Sequence, residues 1–166
     1  MFLFAALVKD MTDPVEGVSL PKSTIVQTTL GKLQGLTFRS KIVDKVYTSF
    51  KGIPYAQPPI GDLRFAQPQP VKPWQGELDC RYKESPPCWQ VHPLFPEHKL
   101  LMKGQEDCLY LNVFTPWLPR EEANELLPVI FWIHGGAFGL ESNNSKMYGP
   151  DYFLEHEIVL VTINYR

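Results

Sequence analysis

The 166-residue sequence has almost no net charge, no long apolar run, few cysteines and no internal repeats. Lys plus Arg number 16 against 18 for Asp plus Glu, giving a net charge of -2. Nucleic-acid binders draw affinity from cations that release condensed counterions. Here the densest positive stretch, residues 39–45, already carries Asp44, so nucleic acid is not an expected partner. Nothing approaches the roughly 18 apolar residues that a membrane helix needs, and no membrane span is expected. Three cysteines are too few for a small disulfide-built scaffold. His92 and His98, with Glu97 between them, lack a metal-ligand spacing such as H-E-x-x-H, and no metal site is expected.

What the chain does contain is apolar material and proline. Hydrophobic residues make up 44% and aromatics 13%, enough for a core and too much for a disordered tail. Proline is over-used: 16 in all, ten of them between Pro54 and Pro96. Proline fixes φ and removes a donor, so this stretch holds neither a long helix nor a central strand. Leu63, Phe65, Trp74, Leu78, Tyr82, Trp89, Val91, Leu94 and Phe95 give it too much apolar surface for a linker, and it reads as packed loop. Residues 1–8 (MFLFAALV) are apolar but lack a basic start and are closed early by Lys9 and Asp10. They fit a secretory-signal remnant, a frayed terminus or an unusual start site, and the compartment stays open.

Strand patterns follow one another along the chain. Residues 24–29 and 32–38 flank Leu30-Gly31 as a hairpin. Residues 45–51 (KVYTSFK) alternate and stop at Gly52. Residues 109–115 (LYLNVFT) end at Pro116, and residues 121–126 suit a short helical turn. VIFWI (129–133) and IVLVTI (158–163) are unbroken apolar runs, the pattern of strands buried on both faces in parallel or mixed sheets. Between them, residues 149–157 suit a brief helix with Pro150 in its first turn. Two such strands at the end of the sequence would leave an unpaired edge and an uncovered face. The expectation is therefore the front part of a longer α/β domain.

Directly after VIFWI stands His134-Gly135-Gly136-Ala137-Phe138. Small residues there let the backbone turn tightly and aim successive N–H groups at one point, where a developing oxyanion can be held. A plain glycine turn leaving a strand has the same composition. Two further segments, EDCLYLNVFTP (106–116) and GIPYAQPPIGDLRF (52–65), decide in favour of the chemical reading. Together with HGGAF they closely resemble the type-B carboxylesterase family of α/β hydrolases, which includes the cholinesterases. GKLQG (31–35), VTINYR (161–166) and MYGPDYF (147–153) fit it too, the last most like insect α-esterases.

The resemblance implies residues 25–166 as the N-terminal portion of a carboxylesterase domain, preceded by a separate 1–24 segment. The expected fold is a small antiparallel start followed by the first strands of a mixed central sheet. It implies a small-molecule carboxylic ester substrate and a serine nucleophile working through an acyl-enzyme, without cofactor. Gly136 and Ala137 would supply oxyanion N–H groups, with Gly135 shaping the turn and Phe138 walling the pocket. A Cys88–Cys108 disulfide is implied, leaving Cys80 free, with Cys80 as the alternative partner. Arg64 and Glu106 would form a buried, structural ion pair. The sequence departs from the family in one respect: no G-x-S-x-G occurs in it. The catalytic serine, acid and histidine are expected beyond Arg166, and these residues alone are expected to be inactive. A catalytically dead binding or adhesion domain and a truncated, non-functional product are the alternatives. Asn143-Asn144-Ser145 is an N-glycosylation sequon, meaningful if the chain is secreted. Trp74, Trp89 and Trp117 are expected to pack under loops.

Overall fold

A computed structural model describes residues 21–90, 103–118 and 126–166. Most of the 1–24 segment, His92, Glu97, His98 and the helical turn expected at 121–126, apart from Leu126, lie outside the described residues. The described residues form one seven-stranded mixed sheet. In chain order its strands are β1 (Lys22–Gln27), β2 (Lys32–Arg39), β3 (Val46–Pro54), β4 (Glu77–Asp79), β5 (Tyr110–Thr115), β6 (Val129–Ile133) and β7 (Val159–Ile163).

β1 begins at Lys22, three residues ahead of the expected boundary, and pairs with β2 as the antiparallel hairpin that the sequence suggests. β2 in turn pairs with β3, and the sheet order runs β1-β2-β3-β5-β7-β6. β4, the one strand within the proline-rich stretch, is three residues long and pairs parallel to Lys32–Gln34 of β2. β3 does not stop at Gly52. It passes through an irregularity between Phe50 and Ile53, where Gly52 has φ +70° and donates its N–H to Asn112 Oδ1 (3.0 Å). A bulge of this kind suits glycine, which reaches positive φ without strain.

β5 and β7 lie inside the order and are antiparallel to one another, whereas β6 pairs parallel with β7 at its end. A parallel pair requires a crossover. Residues 134–158 supply it, with a 3-10 helix over Asp151–His156 where a brief helix was expected. Its stop is the left-handed Glu157 (φ 49°).

Alternating side chains of β5 and β7 feed two core clusters on opposite faces. Phe50, Ile53, Val113 and Val161 join Val26, Leu33 and Cys80 on one side. Tyr47, Phe114 and Leu160 meet Leu154 of the 3-10 helix on the other. β6 departs from the expectation of burial on both faces. Val129, Phe131, Trp132 and Ile133 are all exposed, because β6 ends the sheet order and no described element covers it. The proline-rich stretch is also less uniformly packed than expected, since Phe65 and Tyr82 face outward. No helix among the described residues is long and apolar enough to cross a membrane.

Candidate active-site loop

The segment that leaves β6 has an unusual backbone. Gly136 (φ +102°), Ala137 (+50°) and Phe138 (+60°) occupy positive φ in succession. A Cβ on Gly136 would sit 2.2 Å from the Leu140 carbonyl oxygen, so only glycine fits there. Gly135 is different: nothing lies within 4 Å of a Cβ placed on it. The shape of the turn therefore rests on Gly136 rather than on Gly135. Ala137 and Phe138 adopt the left-handed region without glycine's freedom, at about 1–3 kcal/mol each.

The Gly136 carbonyl accepts the N–H groups of Gly139 (2.9 Å) and Leu140 (3.2 Å), which closes the turn on itself. Among the described residues the Gly136 and Ala137 N–H groups find no acceptor. At the start of the segment His134 is buried, with Nδ1 2.9 Å from the Gly135 carbonyl. At its far end the Glu141 N–H donates to Gln90 Oε1 while Gln90 Nε2 donates to the Glu141 carbonyl, both at 2.9 Å. That reciprocal pair lashes the segment to the loop carrying the disulfide.

The loop opens on a cleft of about 380 Å³. Phe138, Trp89, Phe65, Arg64, Glu106 and Tyr165 line it. Phe138 is 95% exposed, so one face of this wall is open among the described residues. Trp89, at 57% exposure, lines the cleft instead of packing under a loop. Trp74 does lie against the chain, donating its indole N–H to the Lys32 carbonyl (2.9 Å).

Cys88 and Cys108 are joined (S–S 2.06 Å, Cα–Cα 5.0 Å). Cys80 is free and buried in the main core, and burial, with Asp79 adding to it, pushes its thiol up to about 12. Arg64 and Glu106 meet through a two-point contact, Nε to Oε1 and Nη2 to Oε2 (2.8 Å). The hydrogen bonds from Arg64 hold the Glu106 carboxyl below the usual carboxylate range. The pair is not buried as expected: the two side chains are 55% and 28% exposed. They sit on the cleft rim, where water screens them.

The sequon reading of Asn143 does not survive the fold. Its side chain is fully buried. Asn143 Oδ1 accepts from Ser85 Oγ (2.8 Å) and Nδ2 donates to the Tyr110 carbonyl (3.2 Å). An amide nitrogen committed in this way has no room for a glycan. Asn143 belongs to a buried network instead. Asn112 Nδ2 donates to the Asn143 carbonyl (2.8 Å), and the Asn143 N–H donates to Asn164 Oδ1 (2.8 Å). Asn112, Asn164, Gln90 and Tyr165 escape a motif-based reading. The available sign was an asparagine inside an apolar strand (LYLNVFT) and another at the end of one (VTINYR), since a buried amide needs several partners.

Among the described residues no three His, Cys, Asp or Glu side chains gather as metal ligands would. A mixed sheet with a positive-φ turn leaving a parallel strand and opening on a cleft defines the front of an α/β-hydrolase fold. Residues 22–166 match the model of the carboxylesterase family. The chain belongs to that family.

Juvenile hormone esterase of Tribolium castaneum is 41% identical over 146 residues, which cover 88% of this chain and 24% of that protein. Para-nitrobenzyl esterase of Bacillus subtilis is 40% identical, covering 86% and 27%. The crystal structure of juvenile hormone esterase from Manduca sexta superposes with a TM-score of 0.74 at 38% identity, covering 87% of this chain and 27% of that one. The chain thus spans about a quarter of the length of the curated relatives it matches.

Proposed function

We propose that these residues form the front of a serine carboxylesterase and supply two donors of its oxyanion hole. The observation that carries the reading is the positive-φ run at Gly136, Ala137 and Phe138, with the Gly136 and Ala137 N–H groups unpaired among the described residues. Backbone strain of this kind persists where the surroundings enforce it, and it gathers at functional sites. Unspent donors beside an aromatic-rimmed cleft suit an ester whose carbonyl oxygen gains charge during attack. The family membership of the chain supports the same reading.

In this mechanism a serine oxygen, contributed by residues outside this chain, attacks the ester carbonyl carbon. The carbonyl oxygen becomes an oxyanion, and the Gly136 and Ala137 N–H groups donate to it. Collapse breaks the ester C–O bond, and the proton given up by the serine hydroxyl goes to the departing alcohol oxygen. Water then cleaves the acyl-enzyme left behind, returning a proton to the serine and releasing the acid. Each donor of this type is worth about 10²–10³ in rate. The Arg64–Glu106 pair and the Cys88–Cys108 bridge hold the cleft rim and take no part in bond making.

The test is hydrolysis of 4-nitrophenyl and naphthyl esters by a polypeptide that begins with these residues and continues to the length of the relatives. Turnover with a burst of alcohol release is expected, and none from the 166-residue chain alone. A longer polypeptide that folds but leaves such esters intact would favour a non-catalytic binding domain.

A further inference from the structure

The 134–143 segment is held at both ends by two consecutive residues at the exit of β7. Tyr165 takes the first end. Its hydroxyl donates to the His134 carbonyl (2.7 Å), and its ring stacks on the His134 imidazole with centroids 4.5 Å apart and planes 26° from parallel. The Phe138 ring meets the same tyrosine edge-on at 6.5 Å. Asn164 takes the second end by accepting the Asn143 N–H.

Asn164 is itself immobilised. Its Nδ2 donates to the Pro86 carbonyl (2.8 Å), its carbonyl accepts from Tyr55 Oη (2.7 Å), and its N–H donates to the Tyr110 carbonyl (2.9 Å). Successive side chains of an extended chain point to opposite sides, so one dipeptide can reach both ends of the segment at once. Between those ends the turn bonds to itself through Gly136, Gly139 and Leu140 and, at Glu141, to Gln90 of the disulfide loop, while its bonds to the sheet and the β7 exit are made at the ends.

We infer that Asn164 and Tyr165 are a two-point clamp that aims the Gly136 and Ala137 N–H groups, with Tyr165 as a positioning residue for ester hydrolysis. This inference rests on the oxyanion reading above. Such a donor pair stabilises the transition state more than the bound ester, so a slackened clamp lowers kcat and leaves KM alone. The Tyr165 hydroxyl touches no reacting atom; it acts through the His134 carbonyl.

The test uses the same longer polypeptide with a 4-nitrophenyl ester, and three quantities are read: kcat, KM and the burst amplitude that counts competent sites. Tyr165→Phe keeps the stacked ring and loses one hydrogen bond. The expected result is a kcat about three- to tenfold lower per competent site, with KM within about twofold and an undiminished burst. Tyr165→Leu removes the ring as well and should lose more. In parallel, an amide-to-ester exchange at Gly136 (glycolic acid in place of glycine) deletes a proposed oxyanion N–H while leaving the φ of +102° and the Gly136 carbonyl in place. That variant should lose at least about 10²-fold, with folding checked by circular dichroism.

An unchanged kcat in Tyr165→Phe, with the Gly136 ester variant impaired, overturns the clamp and leaves the oxyanion reading standing. A fall in burst amplitude at constant kcat per site means that Tyr165 only supports folding, and the clamp is again overturned. Wild-type turnover in the Gly136 ester variant overturns the oxyanion reading and the clamp together.

Discussion

β5 and β6 carry the same kind of sequence and have opposite fates. β5 (YLNVFT) buries its last four residues and contributes to both core clusters, whereas β6 (VIFWI) leaves four of its five residues exposed. The difference is place in the sheet. β5 is flanked by β3 and β7 and covered on both faces, while β6 has β7 on one edge and no described neighbour on the other. An apolar run therefore encodes a strand and a readiness to be buried, and burial itself comes from what packs against it. The 134–143 segment hangs from the exposed strand, so its stiffness has to come from the neighbouring β7 exit and the disulfide loop.

The contrast can be broken most forcefully at Phe114, 1% exposed in the second core cluster. Phe114→Ala should lower unfolding free energy by about 3–5 kcal/mol, measured by urea denaturation. Next comes the disulfide, which closes a separation of 20 residues across the cleft rim. Cys88→Ser should lose about 3 kcal/mol, and reduction of the wild-type chain should lose a similar amount.

Asn143→Ala strips partners from Ser85 and from the Tyr110 carbonyl and should lose about 1–3 kcal/mol. In addition, expression in a secretory host should leave position 143 without a glycan, as read by mass before and after endoglycosidase. A glycan there would contradict the burial of this side chain.

Glu84 offers a pH-dependent version of the test. Burial pushes its carboxyl up, but hydrogen bonds from Lys51 and Ser145 outweigh that, and the net pKa lies below its ordinary 4.5. A depressed folded-state pKa stabilises the fold above pH 4.5, and that stability drains away as pH falls from there through the folded value. Glu84→Gln should flatten the stability profile in that acid range and change little in its shape above it. The smallest effect should be at Phe131 on β6, 53% exposed. Phe131→Ala should shift stability by no more than about 0.5–1 kcal/mol in this chain. A loss matching that of Phe114→Ala would erase the distinction between the two strands.

Much of the fold was legible because its signals are local. The hairpin at Leu30-Gly31, the alternation in residues 45–51 and the apolar runs at 109–115, 129–133 and 158–163 each describe a strand within its own few residues. HGGAF likewise announces a tight turn by composition. The pairing of Cys88 with Cys108, and of Arg64 with Glu106, came from resemblance to a family, and spacing alone would have left Cys80 in contention. The sequon at Asn143 misled because a three-residue pattern carries no information about burial.

By itself, then, the sequence determined where six of the seven described strands form, missing β4, and that a glycine turn follows β6. Tertiary structure alone decided that Arg64 and Glu106 sit on a rim and that Asn143 is an interior residue. It also decided that Tyr165 lies under His134. The physical reason is range. Side-chain alternation and turn chemistry act over two to four residues. The hydrogen bonds that set the loop join residues 21 to 79 positions apart, such as Asn164 to Asn143 and to Ser85. Those partners meet only after the sheet order has brought β5, β7 and the proline-rich stretch side by side.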